Sequence, residues 1–279
     1  MKGVSELKSR MQGIQDTVKI TKAMYLLSAS KMPRFSERLE ACRRWVDLLD
    51  KAEATVSTRK SLSPYFNQKA GKTGYLVFAS DKGLCGDYNE QVRQLALAKI
   101  PKEGDRQVYA VGNMAKDMLK NMGIKCNNAF MHVMQSPMLS DAEQIVSTLV
   151  EEYDKGNLTS VQLLYTRNVS RGTHETVMEQ LLPLAKPQVD PKEVIPLYGD
   201  EEDGKGILYN YLVGRVYLAL IEAATALNFK RMMTMRQATD NANEILEDMT
   251  IKMNHLRQDG ITSELSDVNT AKIANEDIL

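Results

Sequence analysis

Residues 24–35, MYLLSASKMPRF, decide whether residues 1–60 of this chain form one helix or two. Pro33 lacks the amide proton that an interior helical position donates, and its ring crowds the preceding turn. The apolar spacing nevertheless crosses it without losing step. Counting in threes and fours from Val4 gives positions 4, 7, 11, 14, 18, 21, 25, 28, 32, 35, 39, 42, 46, 49, 53 and 56, and only Thr21, Ser28 and Glu53 among them are neither apolar nor tyrosine. Such a repeat is a heptad seam, and its resumption at Phe35 and Leu39 predicts a kink near 29–33 inside one helix, not a break. The small residues around Ser28 and Ala29 let a partner helix approach closely. A helix over 3–58 would be about 80 Å long, beyond the diameter of a compact domain, so it must project or bridge.

The opposite end of the chain has the same character. From Ile207 to Asp277 there is no proline, and Met235, Ala238, Ala242, Ile245 and Met249 repeat the three-four spacing. A one-step shift to Met253 and Leu256 reads as a stutter, after which Ile261, Leu265 and Val268 carry the seam onward. Two long seams at opposite ends of one chain predict an antiparallel pair. Each helix buries only one stripe in such a pair, which leaves the Met-rich and polar run KRMMTMRQATDNANE (230–244) available to surrounding protein.

Between the ends the period changes from helical to extended. YLVFAS (75–80), QVYAV (107–111), FMHVM (130–134) and SVQLLYT (160–166) read as short buried strands, separated by helices near 87–99, 112–122 and 140–155. The last helix opens with Ser140 and Glu143 at capping-box spacing. Strands alternating with helices imply right-handed crossovers and a largely parallel sheet covered on both faces. TVMEQLLPL (176–184) adds a strand at an edge, because Pro183 cannot donate to a ladder. The Ser/Lys/Gly-rich stretch 57–74 and the acidic YGDEEDGKG (198–206) are natural boundaries. The expected class is therefore α/β: an antiparallel coiled coil of the terminal helices, 1–58 and 207–279, plus a central Rossmann-like domain over 74–200.

Composition narrows the function. The chain has 279 residues, 43% of them hydrophobic, enough for a sizeable core. Lys+Arg and Asp+Glu are both 36, so no net field favours nucleic acid or acidic substrates. Cys42, Cys85 and Cys126 are far apart and form no C-x-x-C pair, which points to a reducing compartment without disulfides or structural zinc. The opening MKGVSELKSR has no apolar signal core, and no run reads as a membrane span, so any membrane role is expected to be peripheral.

SDKGLCGDYN (80–89) leaves the C-terminal end of the first central strand, the ligand side of an open sheet. A dinucleotide fingerprint needs three glycines, and here Gly83 and Gly86 give a bare G-x-x-G. AGKTG (70–74) imitates the end of a P-loop, but Phe66 stands where its first glycine belongs and the motif precedes its strand. Cys85 near a helix start could be a nucleophile, yet no histidine lies nearby in sequence. The structural reading gives Gly83 and Gly86 positive backbone dihedrals, packs Cys85 as a small hydrophobe and makes Asp87 the cap of the next helix. His174-Glu175 begins a zincin motif that Met178 leaves without its second histidine. No catalytic constellation, cofactor cradle or metal site emerges.

ITKAMYLLSASKM (20–32), SDKGLCGDYN (80–89), TVMEQLLPL (176–184) and ATDNANEILEDMTIKMNHLRQDGITSEL (238–265) stand in the order and spacing of four signature blocks. Through them the chain resembles, over essentially its whole length, the gamma-subunit family of rotary F-type ATP synthases. The resemblance implies an antiparallel, left-handed coiled-coil shaft with a Rossmann-like domain at its base. It implies a shaft turning inside a ring of alternating alpha and beta subunits, with catalysis kept on beta, and a base that binds the epsilon subunit and stands on the membrane c-ring. Carried over position by position, Arg257 and Gln258 match the pair that hydrogen-bonds a beta-subunit loop, Thr262 belongs to the same patch, and Met24 matches a position facing the beta lever region.

Departures from the family pattern bear on contacts and source. Ala226-Leu227 precede Lys230, Arg231 and Met232 where a polar pair is usual, and the stretch between Pro187 and Ile207 is short and acidic. Contacts to the c-ring are therefore not carried over. The regulatory cysteine insertion of chloroplast relatives is absent, which implies a bacterial type, peripheral on the cytoplasmic face of the cell membrane. The competing class is a soluble α/β enzyme with coiled-coil arms for dimerisation.

Overall fold

The computed structural model describes residues 2–56, 64–67, 70–170, 172–185 and 201–276. Helix α1 (Lys2–Val56) runs through Pro33 without interruption, and helix α5 (Glu201–Glu276) begins inside the acidic stretch that reads as a turn. Between them lie β1 (Thr73–Phe78), α2 (Tyr88–Lys99), β2 (Arg106–Val111), α3 (Asn113–Asn121), β3 (Asn127–Phe130), α4 (Leu139–Asp154), β4 (Ser160–Ser170) and β5 (Thr173–Leu182). The chain divides into two compact units, Met1–Leu27 with Met232–Leu279, and Ser28–Arg231.

The first unit is a helix pair. Every predicted seam position of α1 within it, Val4, Leu7, Met11, Ile14, Val18, Thr21 and Tyr25, is buried or half-buried, and the positions between them, apart from Met24, are exposed. On α5 the inward positions are Met235, Ala238, Thr239, Ala242, Leu246, Met249 and Met253. This corrects the sequence reading: Ile245 is 48% exposed and Leu246 turns inward, so the heptad continues without a stutter. Thr239 Oγ1 donates to Thr21 Oγ1 at 2.7 Å across the seam. With that pair fixed and burial on α5 fading after Met253, a partner starting at Lys2 must run antiparallel. Leu256, Ile261, Leu265 and Val268 are accordingly exposed, and the seam predicted through them is not packed among the described residues.

The second unit is built on a five-stranded sheet in the order β3-β2-β1-β4-β5. β1 is parallel to both β2 and β4, β2 to β3, and only the edge strand β5 is antiparallel, to β4. Leu76, Val77 and Phe78 follow one another on β1 with no exposed surface. Successive side chains point to opposite faces, so both faces are covered. Tyr88 on α2 donates to Ala223 O on α5 at 3.3 Å, joining a crossover helix to the core segment of α5.

Three local readings are corrected. The strand expected over 130–134 is β3 at Asn127–Phe130, since His132 has φ 65° and Val133–Gln135 coil into a 3-10 turn. α4 starts at Leu139 without the expected Ser140–Glu143 capping box; its first turn is closed by the Met138 amide donating to Asp141 Oδ2 at 2.7 Å. Finally, α5 is long and apolar enough to cross a membrane by composition, but 78% of its apolar window is buried inside the protein, as befits a core helix.

Candidate functional site

The end of α5 presents its side chains to solvent on all sides: residues 254–263 are exposed throughout. Arg257 and Gln258 lie just past Leu256 and are free of any packing duty in the pair. Thr262 Oγ1 donates to Gln258 O at 3.0 Å, which binds its proton to its own helix and leaves the oxygen lone pairs as acceptors. Met24 is half-buried beside the seam residue Tyr25. Thr21 faces Thr239 in an antiparallel pair, so the level of Met24 and that of Arg257 are roughly 30 Å apart along the axis at about 1.5 Å per residue. The structure therefore brings Arg257, Gln258 and Thr262 together and holds Met24 apart from them.

The loop at the C-terminal end of β1 is held shut by its own polar groups. Ser80 N–H and hydroxyl both lie 3.0 Å from Asn89 Oδ1, and Asn89 Nδ2 reaches Ser80 Oγ at 2.8 Å and Cys85 Sγ at 3.3 Å. Asn89 is the organiser that sequence reasoning missed; its signal was a lone amide one position inside α2. Cys85 is 2% exposed and packs as a small hydrophobe, as expected. Its neighbours, an amide and a hydroxyl, offer no base to form a thiolate.

The amides that could cradle a phosphate are already taken. Asn113 N–H at the head of α3 donates to Asp81 Oδ1 at 3.2 Å, and Met114 N–H donates to Ser80 O at 2.8 Å. Gly112 makes this closure feasible: it has φ +92°, and a Cβ there would fall 2.3 Å from Ala79 O. Gly86 takes the expected positive φ of 60°, but the second such position is Leu84 at 61°, not Gly83. Asp87 precedes α2 without capping it. Its carboxylate instead accepts from Gln91 Nε2 at 2.6 Å and from Lys230 Nζ on α5 at 2.9 Å, and the lysine holds it below the usual carboxylate range. Arg231 Nη2 also donates to Lys82 O at 3.4 Å, so α5 secures both ends of the loop.

Among the described residues no group of three or more His, Cys, Asp or Glu side chains is placed to hold a metal ion. His174 packs against Phe229 with ring centroids 4.9 Å apart and planes tilted by 38°, and burial lowers its affinity for a proton. The arrangement is a loop locked by its own polar groups and an exposed stretch of helix at 254–263.

A family model described as ATP synthase matches residues 3–274. The ATP synthase gamma chain of Burkholderia thailandensis is 31% identical over 287 aligned positions, covering 96% of this chain and 98% of that one. That of Burkholderia mallei is likewise 31% identical with the same coverage. Among solved structures, a chain of the Euglena gracilis mitochondrial ATP synthase superposes with a TM-score of 0.72 at 14% identity, covering 98% of this chain and 94% of its own. A chain from the central stalk and c-ring of the Tetrahymena thermophila enzyme gives 0.60 at 22% identity, covering 78% of this chain and 99% of its own.

Proposed function

The chain belongs to the ATP synthase gamma-chain family, and from that premise we propose that it is the central rotor shaft of an F-type ATP synthase, itself non-catalytic. The helix pair of the first unit turns inside the ring of alpha and beta subunits, and the α/β unit takes the epsilon subunit and the c-ring. Ion-driven rotation of the c-ring is passed through the shaft to the nucleotide sites on beta. The subunit is peripheral to the membrane, on its cytoplasmic face in a bacterium.

The observation that carries this reading is the end of α5. Leu256 is 38%, Ile261 49%, Leu265 61% and Val268 66% exposed on this helix. A soluble protein gains nothing by leaving such a stripe in water, whereas a sleeve of surrounding subunits covers it. Arg257 and Gln258 at the root of the stripe add directional donors, and the planar guanidinium can grip a partner carboxylate at two points. Met24 and Thr262 contribute contacts at their own levels.

Co-expression with alpha and beta subunits tests the assignment: a stoichiometric complex that hydrolyses ATP should be recovered, and the chain alone should show no turnover. Homodimers with intrinsic activity toward a small substrate, and no complex, would establish the dimeric α/β enzyme instead.

A further inference from the structure

Seam position 53 of α1 carries a glutamate where the heptad calls for an apolar residue. Its side chain is 5% exposed, and Oε1 is buried without a hydrogen-bond partner. The packing beside it is tight: a Cβ on Gly214 of α5 would fall 2.5 Å from Leu49 Cδ1 and 3.5 Å from Val46 Cγ2. From α1 itself Asp50 faces the carboxyl, adding like charge; from α5 Arg215 acts on it as counter-charge, and Tyr211 lies within the same field. Arg215 is also engaged elsewhere. Its Nη2 stands 3.8 Å from Glu179 Oε2 on β5, and Glu179 already accepts from Arg167 at 2.8 Å and from the Tyr165 hydroxyl at 2.9 Å.

We infer that Glu53 is a proton-linked switch that decides whether Arg215 serves the α1–α5 seam or Glu179 on the β4–β5 hairpin. An ionised carboxylate at this depth needs the guanidinium, because a buried charge without a partner is costly. A protonated carboxyl needs no counter-charge and leaves Arg215 to Glu179. One proton thereby trades an ion pair across the helices for one between helix and sheet.

Burial, reinforced by Asp50 and opposed by Arg215, pushes Glu53 up to about 7 from 4.5, so the exchange falls in the neutral range. The sign follows from linkage. The folded state holds this proton to higher pH than the unfolded state does, so the contribution to stability is greatest below pH 4.5, declines as pH rises toward 7, and is flat above that. The separation of 4.5 and 7 corresponds to a roughly 300-fold change in the folding equilibrium.

The test uses the full-length chain with glutamate carboxyl carbons labelled by carbon-13, the Glu53 signal being identified by its loss in Glu53→Gln. A titration midpoint near 7 is expected, and Glu179→Gln should move it downward by releasing Arg215 to the seam. A midpoint in the ordinary range near 4.5, or one that Glu179→Gln leaves in place, overturns the inference. Urea unfolding gives a second readout: the stability advantage of Glu53→Gln over the parent should grow by roughly fiftyfold or more in equilibrium constant between about pH 5 and pH 8.5. Glu53→Leu, which restores an apolar seam residue, should show the same growth. An advantage equal at both pH values in either variant rejects the switch.

Discussion

Arg257 and Gln258 make a prediction at the scale of single side chains. Both lie in the stretch 254–263, which is exposed throughout, so Arg257→Leu and Gln258→Ala should assemble normally with partner subunits. A charge-assisted contact contributes about 1.5–3 kcal/mol, and ATP hydrolysis and ion pumping in the reconstituted complex should fall roughly tenfold or more for Arg257→Leu. Unchanged rates in both variants, with stoichiometry intact, would remove these residues from the coupling path. Legibility at this scale was uneven, and the reason is local. Cys85 could be read because a cysteine without a base packs as a hydrophobe. The positive dihedral at Leu84, and the reach of Asp87 to Lys230 on α5, could not. A G-x-x-G spacing offers several turn geometries, and the choice among them is made by Asp81, Asn89 and Arg231 reaching in from residues near and far.

At the scale of elements, the seam of α1 was legible because one spacing fits all its positions, so that even Pro33 did not obscure it. On α5 the reading slipped by one residue. Ile245 and Leu246 are adjacent and equally apolar, so spacing alone cannot rank them, and the partner's regular heptad settles the choice in favour of Leu246. β3 failed for the opposite reason: Asn127 and Asn128 have poor strand propensity, and the edge strand is held by pairing with β2. The register of the pair can be tested directly. Thr21→Cys with Thr239→Cys places two thiols where two hydroxyl oxygens now stand 2.7 Å apart, and mild oxidation should give a crosslink within one chain. Crosslinks found only between chains would favour coiled-coil arms that dimerise.

At the scale of the whole molecule, stability should be graded along one helix. Between Leu208 and Asn228, α5 is largely buried in the core of the α/β unit; from Met235 to Met253 only every third or fourth residue is buried; residues 254–263, 265, 266 and 268 are exposed. Amide hydrogen exchange on the isolated chain should therefore show three zones on α5, slow, intermediate and fast, in chain order. Uniform protection out to residue 276 would mean that the end of the helix is covered by something within the free chain. The sheet topology was accessible from the alternation of strands and helices, since parallel strands need crossovers of that length. The closure of the nucleotide-type crevice by Asp81 was not, because it depends on how Gly112 lets β2 pass close to Ala79.

The uncovered stripe from Leu256 to Val268 also fixes the fate of a surplus copy. A lone helix frays from its end, and a frayed apolar segment is what quality-control proteases and holding chaperones engage. Unassembled molecules should thus be cleared from that end, while molecules enclosed by partners persist. Supply of this subunit would then be matched to that of its partners by turnover, without any dedicated control of its synthesis.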